Sequence, residues 1–251
     1  MAELNRFRAD LHNHTFLSPC GDIGMVPSFI VDSALRKGFD IIGITDHNST
    51  IQGREIRRIV GDGEPFVLCG AEITTREEVH CIVFANGEDE LDRLQRFIDD
   101  ALPHVPNDEE VFGYQLAVDM NEEVIYEAPW LLISAIDRTI GEVSAFVDSI
   151  GGIFIPAHID KRHNSLLSQL GFLPADLRFD ALEISAGCDF KAFMGSYGPL
   201  FPRDVTFVRS SDAHYPEDFG RAETFFHIPH RSFAEVKKAL RREDGRFVSL
   251  Y

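Results

Sequence analysis

Short apolar runs alternating with helical stripes set the plan of the chain. Ile41-Ile42-Gly43-Ile44, Phe66-Val67-Leu68-Cys69, Ile153-Phe154-Ile155 and Val205-Thr206-Phe207-Val208 are short and rich in β-branched or aromatic residues. Such runs predict buried parallel strands. Between them, apolar residues recur at three- and four-residue spacing: Phe29, Ile30, Ala34 and Leu35; Leu91, Leu94, Phe97, Ile98 and Ala101; Ile140, Val143, Phe146, Val147 and Ile150; Phe233, Val236 and Leu240. Each stripe predicts a helix packed by one face on the core. Pro27 and Gly38 bracket the first helix, Gly151-Gly152 closes the third, and Ser232 stands at the N-cap of the last. The alternation predicts α/β architecture, and 251 residues with 44% hydrophobic composition are compatible with a single barrel domain. Pro103 to Trp130 breaks the rhythm and reads as an irregular insertion near 103–130, partly helical from Asp108.

The polar residues that follow the apolar runs carry the chemistry. Asp10-Leu11-His12-Asn13-His14, Thr45-Asp46-His47-Asn48, Ala71-Glu72, Val79-His80, Pro156-Ala157-His158 and Ser211-Asp212-Ala213-His214 each put a metal-type ligand at such a position. Alternate residues of a strand point to the same face, so His12 pairs with His14 and Asp212 with His214. In α/β folds the loops after the strands converge on one face, where active sites gather. One such histidine would be unremarkable as a strand cap; six strings at corresponding positions point to a metallohydrolase.

Charge and cysteine usage narrow the setting. A formal net charge of −17 argues against a broad phosphate-backbone-binding surface and so against long duplex nucleic acid, while leaving room for a small phosphorylated substrate. The ligand carboxylates would be neutralised by bound cations, which softens that repulsion at the site. Cys20, Cys69, Cys81 and Cys188 show no paired spacing, and neither a signal peptide nor a membrane-spanning run is present in the sequence. The expectation is a cytoplasmic protein with reduced thiols and no membrane partner.

Taken in order, Asp10-Leu11-His12-Asn13-His14-Thr15, Ile44-Thr45-Asp46-His47-Asn48, Gly70-Ala71-Glu72-Ile73-Thr74, Glu78-Val79-His80, Ala157-His158 and Ser211-Asp212-Ala213-His214 resemble the motifs of the PHP (polymerase and histidinol phosphatase) superfamily. The resemblance implies a distorted seven-stranded β/α, TIM-like barrel and two or three divalent metal ions. It places His12, His14, Glu72 and Asp212 on one ion, Glu72 as a bridge to a second completed by His80 and His158, and His47 with His214 on a third. Mixed imidazole and carboxylate donors suit Zn, Mn or Fe. The third ion takes one more ligand from the loop Ser18-Pro19-Cys20-Gly21-Asp22, where many relatives read Ser-Asp-Gly. Counting from Ser18 favours Cys20; counting back from Pro27 favours Asp22, the preferred assignment because a hard carboxylate suits phosphate-transfer metals.

The implied activity is hydrolysis of a phosphate ester by metal-activated hydroxide, with Glu72, Asp212 and His214 carrying catalysis as well as metal. Asp46 is expected to orient a ligand imidazole. Arg162 is the preferred phosphate-binding cation, followed by Lys161, with Arg76 and then Arg138 behind them; His163 reads as a surface histidine. A phosphorylated metabolite, a nucleotide or a short oligonucleotide all fit as substrate. Two competing readings remain: an amidohydrolase-type enzyme, and a non-catalytic metal-binding module.

Overall fold

The computed structural model describes residues 3–251. In chain order the elements are β1 (Asn5–Asp10), α1 (Pro27–Lys37), β2 (Ile41–Ile44), α2 (Ile51–Val60), β3 (Phe66–Thr74), β4 (His80–Phe84) and α3 (Glu88–Asp99). The insertion holds α4 (Glu109–Phe112), β5 (Leu116–Val118) and β6 (Val124–Glu127). Then come α5 (Ile140–Ser149), β7 (Ile153–Pro156), α6 (Leu166–Leu170), β8 (Leu182–Ile184), α7 (Phe190–Tyr197), β9 (Phe207–Arg209), β10 (Thr224–Ile228), α8 (Phe233–Arg241) and β11 (Phe247–Ser249).

A seven-stranded sheet in the order β11-β10-β1-β2-β3-β4-β7 curls into a half-barrel, and the parallel pair β8-β9 stands in its gap. Single main-chain bonds tie the pair in on both sides: Ile159 N donates to Glu183 O (2.8 Å) next to β7, and His14 N donates to Ala213 O (2.9 Å) beyond β1. The α/β barrel-like fold read from the sequence is therefore present, but the sheet is mixed: β1–β10 and β10–β11 are antiparallel. β3 and β4 also form an antiparallel pair, as do β4 and β7. Five residues between Thr74 and His80 are too few for the crossover that a parallel connection needs. The hairpin puts the start of β4 beside the end of β3, bringing His80 to Glu72.

The predicted helices form where their stripes place them. Gly38 takes a left-handed backbone (φ 71°) after α1, as expected of glycine just past a helix end. Ser232 accepts from Glu235 N at the start of α8, and Asp108 caps α4 in the same way. Within the insertion that reads as irregular from sequence, the structure adds the β5-β6 hairpin. Two glycines permit close approach inside the sheet: a Cβ at Gly43 would lie 2.2 Å from Leu11 O, and one at Gly70 would lie 1.8 Å from Val83 O. No described helix is long and apolar enough to cross a membrane.

Candidate metal centre

The ligand-bearing loops meet at one buried point. Past β1 the chain stays extended, and Asn13 bridges to Ala213 while His47 bridges to Glu72. These links hold four segments of distant sequence in register. His158 and Asp212 adopt left-handed backbone (φ 28° and 51°), a conformation costly for residues other than glycine and one that surrounding packing must hold.

Glu72, on β3 and 1% exposed, is the hub. Its Oε1 lies 3.0 Å from His80 Nδ1, 3.1 Å from His158 Nε2 and 3.3 Å from His12 Nε2; its Oε2 lies 3.2 Å from His47 Nδ1 and 3.3 Å from His14 Nε2. Asp212 Oδ1 lies 3.3 Å from His12 Nε2, 3.5 Å from His14 Nε2 and 3.7 Å from His214 Nδ1. Three donor sets are compact enough to hold an ion each: His12, His14, Glu72 and Asp212; His47, Glu72 and His80; and His14, His47 and His214. His47 thus stands with two of the sets, and His158 approaches through Glu72.

The outer hydrogen bonds decide which way the imidazoles present their lone pairs. His12 Nδ1 donates to Glu183 Oε2 (3.0 Å), leaving Nε2 as the inward acceptor. His14 Nδ1 donates to Ser18 Oγ (3.0 Å), because that hydroxyl gives its own proton to Asp46 Oδ1 (2.7 Å). The two Nε2 atoms face each other at 3.1 Å, with Glu72 and Asp212 oxygens alongside. With the rings so oriented, four acceptors converge with no proton to share, an arrangement that suits a cation. The residues present therefore fit divalent ions: oxygen and nitrogen donors converge, and buried nitrogens such as His158 Nδ1 and His47 Nδ1 lack a hydrogen-bond partner.

Without a cation, protons would answer the same demand. Burial disfavours charge on His12, yet the carboxylates of Glu183, Asp212 and Glu72 raise its pKa well above the ordinary value. His14 is raised by Asp212 and Glu72 against the same burial. Burial also opposes charge on Glu72 and Asp212, but the surrounding imidazoles hold both carboxyls well below their usual range. Burial and the neighbouring His14 push His214 down to about 4, so it is neutral at pH 7 and free to act as a donor to metal.

Several residues lie elsewhere than the sequence placed them. Asp22 does not join a donor set; its Oδ1 accepts from Gly24 N (2.8 Å) in a local turn. Cys20 also stands outside those sets but feels Glu72, Asp46 and Asp212: burial first, then those charges, push its thiol up to about 12. The loop nonetheless lies against the third set, since Asp22 N donates to His214 O (2.8 Å). Lys161, ranked below Arg162, is the cation that reaches the centre, pairing with Asp212 Oδ2. Arg162 is exposed and lines an adjoining cleft. Arg76 and Arg138 are turned to Asp137, and His163 is exposed. Asp46 reaches His14 through Ser18. Glu183 was missed, although a lone carboxylate between Leu182 and Ile184 in an apolar strand was a visible signal.

A family model described as PHP-associated matches residues 203–244. The uncharacterized protein YqxK of Bacillus subtilis is 24% identical across 98% of this chain and 64% of its own length. The structure superposes on the lesion-specific endonuclease PfuEndoQ from Pyrococcus furiosus with a TM-score of 0.72 and 17% identity, covering 97% of this chain and 58% of that one. A protein of Bifidobacterium adolescentis assigned as a metal-dependent phosphoesterase gives 0.54 at 18% identity, over 82% of this chain and 87% of that one. The matched segment and the shared fold support a relationship to the PHP superfamily. The chain spans less than two thirds of the length of YqxK and of PfuEndoQ. The comparison also removes the charge-based exclusion of duplex nucleic acid, because endonuclease Q has been crystallised with a 27-mer duplex carrying an abasic lesion at its active site, in a structure that superposes at 0.71. Net charge averages over the whole surface, whereas a ligand meets the local field.

Proposed function

We propose that this chain is a PHP-type enzyme that hydrolyses a phosphate ester at the His12–His14–Glu72–Asp212 centre with two or three divalent ions, Zn, Mn or Fe. The observation that carries the reading is the set of inward lone pairs on His12 and His14 beside two carboxylates, fixed from outside by Glu183 and by the Ser18–Asp46 relay. His12, His14, Glu72 and Asp212 would hold one ion, Glu72 with His47, His80 and His158 a second, and His14, His47 and His214 a third. When bound, such ions supply Lewis acidity toward a phosphoryl oxygen and acidify water.

The chain's own contribution is position and charge. Lys161, 43% exposed at its side chain, stands at the mouth paired with Asp212, where it can turn to a phosphoryl oxygen. Glu183 and Ser18 fix the tautomers of His12 and His14, and the buried walls exclude bulk water. A nucleic-acid phosphodiester is the finer reading supported by the likeness to endonuclease Q; a phosphomonoester fits the same donors.

Protein reconstituted separately with Mn, Zn and Fe should turn over phosphate esters in a panel of monoesters, diesters, a lesion-bearing duplex and amides. Elemental analysis should find more than one equivalent of metal per chain. Amide hydrolysis without phosphoester hydrolysis would establish the amidohydrolase alternative, and metal binding without any turnover the non-catalytic one.

A further inference from the structure

Beside the centre lies a cleft of about 350 Å³ lined by Lys161, Arg162, Leu167, Ser168, Phe193 and Tyr197, a volume within the range of small-ligand sites. It adjoins the centre directly. Lys161 lines it and pairs with Asp212, and Lys161 N donates to the carbonyl of His158 (2.9 Å). Most of its polar groups already have partners: Asp160 accepts from Ser185 N (2.7 Å), and Ser168 is held in a capping box with Ser165 (3.1 Å). Arg162 makes no hydrogen bond or ion pair among the described residues and is left free. Tyr197 is 44% exposed, and its ring is backed by Phe193 (centroids 5.2 Å apart), which packs in turn on Phe201 (5.9 Å).

We propose that this cleft is a nucleotide subsite in which Tyr197 stacks on the base and Arg162 grips a phosphate next to the one under attack. A guanidinium with no partner matches phosphate oxygens bidentately. A tyrosine backed by Phe193 and open on its other side offers a flat face that any base can stack on, whatever its sequence. A sugar phosphate without a base would leave that ring idle. The inference rests on the phosphoester reading of the adjacent centre.

Manganese-loaded protein is titrated calorimetrically with inorganic phosphate, ribose 5-phosphate, AMP and adenosine 3′,5′-bisphosphate. AMP should bind about tenfold more tightly than ribose 5-phosphate, the scale of one base stacked on an aromatic ring. Tyr197→Ala should abolish that preference and Tyr197→Phe keep it, with ribose 5-phosphate binding, metal content and melting temperature unchanged. Arg162→Ala should remove the extra affinity of the bisphosphate over AMP. Equal binding of AMP and ribose 5-phosphate by the parent protein, or a preference that survives Tyr197→Ala, would overturn the subsite and leave the centre's reading standing. Failure of all four ligands to bind would overturn the phosphoester reading itself.

Discussion

At the end of the barrel where β1, β2 and β7 stop, one carboxylate, Glu72, has nitrogens of five histidines within 3.3 Å. At the opposite end, around Asp148 and Asp180, a cavity of about 490 Å³ is also rich in charge. There Asp148, Asp180, Arg178 and Arg241 complement one another. Asp180 accepts from Phe154 N (2.8 Å) and pairs with Arg241, while Arg178 pairs with Asp148 at 2.9 Å. The charges of that cavity are spent on one another, whereas the donors crowded at the centre are not. Leftover bonding capacity, rather than cavity size or charge count, separates a chemical site from architecture.

The sharpest break of that contrast is a pair of substitutions. Glu72→Gln should strip metal and lower turnover by more than the about 100-fold that loss of an outer hydrogen-bond partner costs. Arg241→Ala, at the other end, should cost about 1–3 kcal/mol of stability by leaving Asp180 short of its partner, with kcat/KM unchanged. Metal analysis, steady-state kinetics and denaturant melts read both. A fall in turnover with Arg241→Ala would mean that the two ends are coupled.

Glu183→Gln tests the outer layer. It should weaken metal affinity about 10- to 100-fold without unfolding the chain, because His12 loses the carboxylate that fixes its proton. Unchanged metal affinity in competition with a chelator would count against that role.

Asp10, directly before the centre, gives a pH signature in metal-depleted protein. Burial first, opposed by bonds to Ser211, raises its pKa from 3.8 to about 6. The folded state therefore holds this proton more tightly than the unfolded one. The resulting stability is complete below pH 3.8 and is lost as pH rises to about 6, a fall of about 3 kcal/mol by linkage. Asp10→Asn should flatten that part of the stability–pH curve, and parallel curves for the two proteins would contradict the assignment.

The smallest effect concerns the loop. Asp22→Ala should leave metal content intact and cost about 1 kcal/mol or less, since it removes a local turn bond. Metal loss from this variant would restore the register counted back from Pro27. Cys20→Ser is the companion measurement, because Cys20 is the loop residue that feels Glu72.

The parts of the fold that were legible in the sequence are those written locally. The stripes of α1, α3, α5 and α8 and the runs of β2, β3 and β7 follow from period and length alone. The direction of β4 was not legible because Cys81-Ile82-Val83-Phe84 looks like any buried run, and only the short link to β3 fixes its direction. The β5-β6 hairpin has half-exposed residues such as Val124 and Ile125 and so little contrast. Within the site, strand-end spacing sufficed for the histidines and for Glu72 and Asp212, whose side chains the fold does bring together. It could not separate Lys161 from Arg162, which differ in where adjacent side chains turn. Nor could it settle the loop, whose register depends on tertiary bonds such as Asp22 N to His214 O (2.8 Å).

The standing of β8 and β9 apart from the main sheet bears on biosynthesis. As the chain leaves the ribosome, all the imidazoles up to His158 emerge together with Glu72, while Glu183, Asp212 and His214 follow later. The histidines are thus synthesised before the outer carboxylate and the closing strands, and the centre is complete only with the Asn13–Ala213 bridge between distant parts of the sequence. Such distant pairings are slow to form. Capture of an ion would then fall at the last step of folding, and refolding that quickens as manganese is added, with no change when magnesium replaces it, would be the kinetic mark of a chain that closes around its own cargo.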